Sequence, residues 1–203
     1  DTSGLVLVIG NSDRNWSASE LTTVGAKFRK VFVQNLLEES PNCYPIPIGL
    51  ENAWRRNYGN PNDFGALTAE TIPRNSRILG SFRPHTNPTR RYPILSALKQ
   101  SKLVDCYSEV SQREHRNLLR EYSFVACPPG NGADTHRVWE ALTLGCIPIV
   151  EKSYGYDYFA DLGLPLWIVE QLEDVKNLTS QEVSAREAAL QPKTEPIALH
   201  FSF

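Results

Sequence analysis

The stretch from Phe124 to Val150, FVACPPGNGADTHRVWEALTLGCIPIV, constrains this chain more than any other. An apolar run (Phe124 to Cys127) leads into a Pro/Gly loop (Pro128 to Gly132), a helix-patterned segment (Asp134 to about Leu144) and a second apolar run (Cys146 to Val150). Both runs have strand length, so the spacing predicts strand, loop, helix, strand, the repeating unit of a parallel sheet. Such a unit leaves a glycine loop and the first turn of a helix at the carboxyl end of a strand. Unpaired N–H groups and the helix dipole favour an anion there, phosphate first among candidates. Arg137 falls in that first turn, where a cation is disfavoured by about 0.3–1 kcal/mol unless something negative lies near it. Glu140 stacks one turn behind His136 and Arg137, so three polar heads share one helix face. Val138, Ala141 and Leu142 turn the other side to the sheet. The spacing alone fits equally well a solvated face with a local ion pair worth ~0.2–0.5 kcal/mol.

The rest of the chain repeats the alternation. Leu5 to Ile9 reads as a strand, followed by the loop Gly10-Asn11-Ser12-Asp13. Ser17 and Glu20 make a capping box that opens a helix toward Arg29. Val31 to Gln34 is the next strand, and Tyr44 to Ile48 is extended, its prolines barring helix and a central ladder position alike. Residues 51–76 are polar and turn-rich, with a short helix around Phe64 to Glu70, and mark a boundary. Arg77 to Phe82 is a strand, followed by the loop RPHTNPTRR and a helix from Thr89 to Gln100. Val104 to Tyr107 is a strand, and a second capping box at Ser111 and Glu114 starts a helix through Tyr122, with Leu118 and Leu119 inward. Glu151 to Phe159 reads as an aromatic binding loop, Leu166 to Val169 as a last strand, and Thr179 or Ser180 to Leu190 as a helix before an irregular tail. This pattern predicts a doubly wound α/β fold, a Rossmann-like parallel sheet flanked by helices, with ligands at the strand carboxyl ends.

Charge is unevenly spread. From Thr71 to Val104 there is no Asp or Glu, while Arg74, Arg77, Arg83, Arg90, Arg91, Lys99 and Lys102 are cationic. In a chain with a net charge of -2, this is a local positive field directed at a phosphate-bearing partner. The alternative is a basic helix face paired with acids elsewhere, such as Asp157, Asp161, Glu170, Glu173 and Asp174.

The residues PxGxGxDTHRxWEALxxGCIPIV resemble the nucleotide-sugar-binding segment of exostosin-like glycosyltransferases, and WEALTLGCIPIV is similar to the corresponding stretch of the wider GT-B class. Fainter likenesses lie in the NSD loop ending at Asp13, in YPIPIGLEN and in SFRPHTNPTRR. The resemblance implies a GT-B type donor-binding domain at residues 74–203, preceded by a linker at 53–73 and by part of a second α/β domain, the acceptor side, at 1–52. It implies transfer of a sugar from a nucleotide-diphosphate sugar to an acceptor hydroxyl of a carbohydrate or glycoprotein. Glu140 then holds the ribose hydroxyls, and Arg137 with Arg90 or Arg91 holds the diphosphate. Asn87 lies in the loop facing that diphosphate, Gly130 and Gly132 form the glycine loop, and Thr135 or His136 meets the diphosphate or the sugar. Asp13 is the first candidate for the acceptor base, with His85 and His136 as alternatives. Two departures stand out: relatives often carry Pro-Arg-Gly where this chain has Pro128-Pro129-Gly130, and the second Glu of a paired acidic motif falls on Gly132. With no Asp-x-Asp pair, neither a metal nor a further cofactor is expected. A non-catalytic nucleotide or sugar-phosphate binding module, or an interaction domain with a degenerate pocket, are the rival readings.

Bulk properties narrow the rest. With 203 residues, the chain is long enough for one domain or one domain and part of another. A hydrophobic content of 41% and a charged content of 22% are those of a globular protein. The slight net acidity argues against nucleic acid as a partner, and no run approaches the length of a membrane span. The chain has no Met and begins abruptly in a strand, as a piece of a longer polypeptide would. Cys43, Cys106, Cys127 and Cys146 form no CxxC pair and read as buried free thiols. Asn15 and Asn177 begin N-glycosylation triplets.

Overall fold

The structure is a computed structural model that describes residues 2–51, Phe64 and 72–190. The expected linker at 53–73 up to residue 71, the short helix around Phe64 to Glu70 and the tail after Leu190 fall outside these residues, Phe64 excepted. That side chain is 3% exposed and belongs to the main core.

The first unit contains β1 (Val6–Ile9), α1 (Ala18–Gly25), β2 (Lys30–Val33) and β3 (Cys43–Pro45), with the three strands parallel in the order β1-β2-β3. Glu20 accepts from both the backbone N–H and the hydroxyl of Ser17, as the capping box predicts. The helix ends at Gly25, short of the expected Arg29. Glycine costs about 1 kcal/mol in a helix, and here its bare Cα lets Pro41 close in: a Cβ would lie 2.3 Å from the Pro41 carbonyl oxygen. Pro45 takes an edge position, where its missing N–H breaks no ladder. β1 is the other edge, and its apolar run is only half used: Leu7 and Ile9 pack on the small core, while Val6 and Val8 are 44% and 58% exposed.

The second unit comprises β4 (Asn75–Ser81), α2 (Pro88–Leu98), β5 (Val104–Tyr107), α3 (Gln112–Glu121), β6 (Tyr122–Ala126), α4 (His136–Thr143), β7 (Ile147–Glu151), α5 (Tyr154–Asp161), β8 (Trp167–Val169) and α6 (Ser180–Leu190). Its five strands are all parallel, in the order β5-β4-β6-β7-β8. The fold is therefore Rossmann-like α/β, doubly wound. β6 lies at its centre, and every residue of it is buried. Phe124 and Ala126 face one core with Ile78, Ile149 and Trp167, whereas Val125 and Cys127 face the other with Val138 and Trp139. A strand covered on both faces must be apolar throughout, which is why this run stands out in the sequence.

Two expectations change. The segment after β7 is not a loop: Ser153 caps α5 by accepting from the Tyr156 N–H, and Tyr156 and Phe159, three apart, face the core together. The helix after the glycine loop begins at His136, with Thr135 as its N-cap residue. Asp134 is freed for another task.

The sheet order reverses direction between β4 and β6, so the carboxyl ends of these strands open a crevice. The loops after β1 and β3 face it from the first unit. Asp134 fastens the two sides together. Its carboxylate is buried and accepts from the Ile48 N–H at 2.8 Å, from Trp139 Nε1 at 2.9 Å and from the Tyr156 hydroxyl at 3.2 Å. Asp134→Ala would strand the Ile48 N–H and the Trp139 indole N–H at about 1–3 kcal/mol each, while the Tyr156 hydroxyl keeps the Ala133 carbonyl at 3.3 Å. We expect about 2 kcal/mol or more of destabilisation in urea unfolding, and a smaller loss for Asp134→Asn, which keeps one acceptor oxygen.

Candidate functional site

A cavity of about 320 Å³ occupies the crevice, at the lower end of the range for small-molecule sites. One wall comes from the ends of β4 and β5 and from α2, α3 and α4. The other comes from Asp13, Ile48 and Glu51 of the first unit.

Arg91 anchors the glycine loop. It is 4% exposed, and its Nε donates to Pro129 O at 2.8 Å while its terminal nitrogens donate to Arg83 O at 2.9 Å and Pro128 O at 3.3 Å. A guanidinium has five N–H bonds, so some donor capacity remains for the cavity. Among the described residues no carboxylate pairs with it. Burial, and then the neighbouring Arg137, bring its pKa down to about 10, so the group stays cationic.

Gly130 and Gly132 are small because the protein needs them so. A Cβ on Gly130 would lie 3.3 Å from an Arg91 terminal nitrogen, and one on Gly132 would lie 2.8 Å from the Asn35 amide. This gives the departure at Gly132 a physical cause: a side chain there would have to displace the Asn35 amide, which bonds Ser12 O and the Asp134 N–H. The loop also uses some of its own N–H groups. Gly130 N–H bonds Gly132 O, Ala133 N–H bonds Asn15 Oδ1, and Asp134 N–H bonds Asn35 Oδ1. An anion here would therefore rely on side chains more than the loop sequence implies.

Those side chains are available. Arg137 lines the cavity, and its Nε is buried with no hydrogen-bond partner among the described residues; the same holds for Thr135 Oγ1. Glu140 is 8% exposed, and burial raises its pKa, with Arg137 and then His136 opposing. Buried polar atoms are nearly always paired, so unpaired ones converging on one cavity single it out as the candidate site.

Asn87 and Arg90 do not reach the cavity. The Asn87 amide is occupied in the fold: its nitrogen donates to Gly130 O at 2.7 Å and its oxygen caps α2 at the Arg90 N–H. Arg90 turns to the carboxyl end of β7 and pairs with Glu151 at 2.5 Å and Glu173 at 3.4 Å. Its diphosphate role is thereby replaced by an ion-pair role. Arg77 is likewise engaged, bidentate to Asp105 at 2.6 and 2.7 Å, and Arg74 donates to carbonyls of Leu119, Tyr122 and Leu144. The positive field of this stretch thus narrows to Arg83 and Arg91 at the cavity.

Of the three base candidates, His85 is exposed and bonded to the Tyr92 hydroxyl at 3.0 Å, outside the cavity. Asp13 lies on the exposed rim, accepting from the Asn131 amide at 3.2 Å. His136 lines the cavity, its Nδ1–H donating to Gly49 O at 2.7 Å and its Nε2 lying 3.6 Å from the Glu51 carboxylate. Among the described residues no group of His, Cys, Asp and Glu could hold a metal ion. All four cysteines are free, Cys106 less buried than the others. No helix among the described residues is long and apolar enough to cross a membrane.

Sequence reasoning missed His115. It lines the cavity from α3 at 4% exposure, with Nδ1 3.1 Å from Ser81 Oγ and Nε2 3.8 Å from Glu140 Oε2. The signal was its position one turn before Leu118 and Leu119, which puts it on the inward stripe of the helix. Burial, followed by Arg137 and Arg116, pushes it down to about 3. The folded protein therefore refuses a proton that the unfolded chain accepts near pH 6.5, so His115 costs stability as pH falls from 6.5 toward 3. We expect its imidazole resonances to hold a neutral signature from pH 8 to 5, and His115→Phe to flatten the stability-against-pH slope between pH 7 and 5.

No family model matches the chain, and no curated protein does.

Proposed function

We propose that this chain binds a nucleotide-diphosphate sugar in the cavity and transfers the sugar to an acceptor hydroxyl, as a glycosyltransferase of the GT-B class similar to the exostosin-like enzymes. The observation that carries this reading is the convergence of the unpartnered Arg137 Nε and Thr135 Oγ1 with buried Glu140 at the switch point of a doubly wound sheet. It is supported by the residue pattern from Phe124 to Val150.

In this reading Arg137 and the remaining N–H groups of Arg91 hold the diphosphate, with Thr135 Oγ1 donating to it and Glu140 accepting from the ribose. Arg91 abuts the loop beside Gly130 and supplies the positive charge that the loop lacks at Pro129. The acceptor oxygen attacks the anomeric carbon while the bond from that carbon to the diphosphate oxygen breaks. The nucleoside diphosphate leaves with the bonding pair, and the two guanidinium groups stabilise its growing charge. The acceptor proton passes to His136 Nε2, whose ring is held by the Nδ1–H bond to Gly49 O. Charge neutralisation by arginine lets the reaction proceed without a metal ion.

A thermal-shift panel of uridine, guanosine and cytidine diphosphates and their sugars tests this directly. We expect one base to stabilise the protein and Glu140→Ala to weaken that ligand at least tenfold; no shift from any of them would leave an α/β domain of another purpose. With the matching donor and an acceptor glycan, turnover persists in chelator. His136→Ala lowers kcat by about 10²–10⁴ with donor affinity kept, and Asp13→Asn has the smaller effect. The reverse order would move the base to Asp13.

A further inference from the structure

We propose that His115 and Glu140 together form a clamp for a vicinal diol, in which His115 Nε2–H donates to one hydroxyl and the Glu140 carboxylate accepts from both. The proposal rests on the reading that the cavity takes a nucleoside diphosphate, and it adds His115 as the residue that makes the site select ribose over deoxyribose.

The geometry selects a hydroxyl among ligand groups. His115 Nε2 and Glu140 Oε2 are 3.8 Å apart, beyond hydrogen-bond range, and Nε2 is buried with no partner among the described residues. A group between them must accept from one and donate to the other. A hydroxyl does both. A phosphate oxygen accepts from the imidazole but meets repulsion from the carboxylate, and an ammonium donates to the carboxylate but has nothing to offer Nε2–H. The two oxygens of Glu140 suit two adjacent hydroxyls better than one.

The clamp fixes the tautomer. With the proton on Nε2, facing the carboxylate, Nδ1 is an acceptor and the Ser81 hydroxyl, 3.1 Å away, donates to it. Ser81 ends β4 and is 1% exposed, so this donor is fixed by the sheet itself. Burial, and then Arg137 and Arg116, keep the ring neutral, and a neutral imidazole can act as donor at one nitrogen and acceptor at the other. His115 is thus oriented from behind before any ligand arrives.

The test uses the nucleoside diphosphate that gives the largest shift in the panel above, with its 2′-deoxy and 3′-deoxy forms, measured by titration calorimetry. We expect the wild-type protein to bind the parent at least tenfold more tightly than one of the deoxy forms, because removing a hydroxyl leaves buried groups unpaired. His115→Phe should erase most of that preference by weakening the parent and not the deoxy form. His115→Gln, whose amide places an N–H near the Nε2 position, should restore part of it. A purely structural histidine would weaken all three ligands alike, and that result overturns the proposal. Equal wild-type affinity for parent and both deoxy forms also overturns it, and because the nucleotide still binds, the proposed function survives. Failure of every nucleotide to bind removes both together. Should His115→Phe not fold, the wild-type comparison and His115→Gln still decide.

Discussion

The Asp134 carboxylate is the contact on which the site depends. It lies between the two units and accepts a backbone N–H from Ile48, an indole N–H from within α4 and a tyrosine hydroxyl from α5. A buried carboxylate with one donor is a liability, but with several it becomes a rigid junction, because each donor loses its partner if any element moves. The elements that meet there are those that carry the cavity walls. Ile48 leads to Gly49 and Glu51 on the His136 side, and α4 carries Arg137 and Glu140 on the other. The cavity is thus held together by one of its own lining residues, whose carboxylate is spent on the scaffold.

Seen from the cavity, the protein leaves several polar atoms unpaired where it could have buried apolar ones. Each such atom costs about 1–3 kcal/mol in a folded protein without a ligand. Arg137 Nε, Thr135 Oγ1 and His115 Nε2 carry that cost within one cavity. Elsewhere the same chain pairs its charges closely: Arg77 with Asp105, Arg90 with Glu151 and Glu173, Arg74 with carbonyls near the ends of α3 and α4. Among the described residues two further buried atoms, Ser40 Oγ and Glu173 Oε2, lack partners outside the cavity, so the contrast lies in the three that gather within it.

The fold was largely legible because its central strands are apolar on both faces and its helices, α4 excepted, begin at capping side chains. The runs at Leu5, Val31, Arg77, Val104, Phe124, Cys146 and Leu166 each became a strand, within a residue or two at the ends. α5 was hidden because YGYDYFAD has the composition of a loop; the Ser153 cap and the burial of Tyr156 and Phe159 support the helix. Within the site, Arg137 and Glu140 were readable from i, i+3 spacing on one short helix. Arg90 and Arg91 were not separable in that way. They are adjacent, and a helix sends adjacent residues about 100° apart, so one faces the glycine loop and the other Glu151 and Glu173. Which does which depends on the docking of α2 against the sheet, and that is tertiary information. His115 was obscured for a related reason: its partners Ser81 and Glu140 come from distant parts of the chain.

Arg91 brings a further consequence. Its planar fork meets three carbonyl oxygens at fixed angles, on Pro129, Arg83 and Pro128. A lysine there would keep the charge, yet a single flexible ammonium cannot reproduce such a span. The guanidinium therefore serves as a template around which the turn is moulded, and charge-conserving exchange at this position would let the turn relax away from its own cavity. Sequence drift in the chain should tolerate a change of sign on the outer surface sooner than a change of shape here.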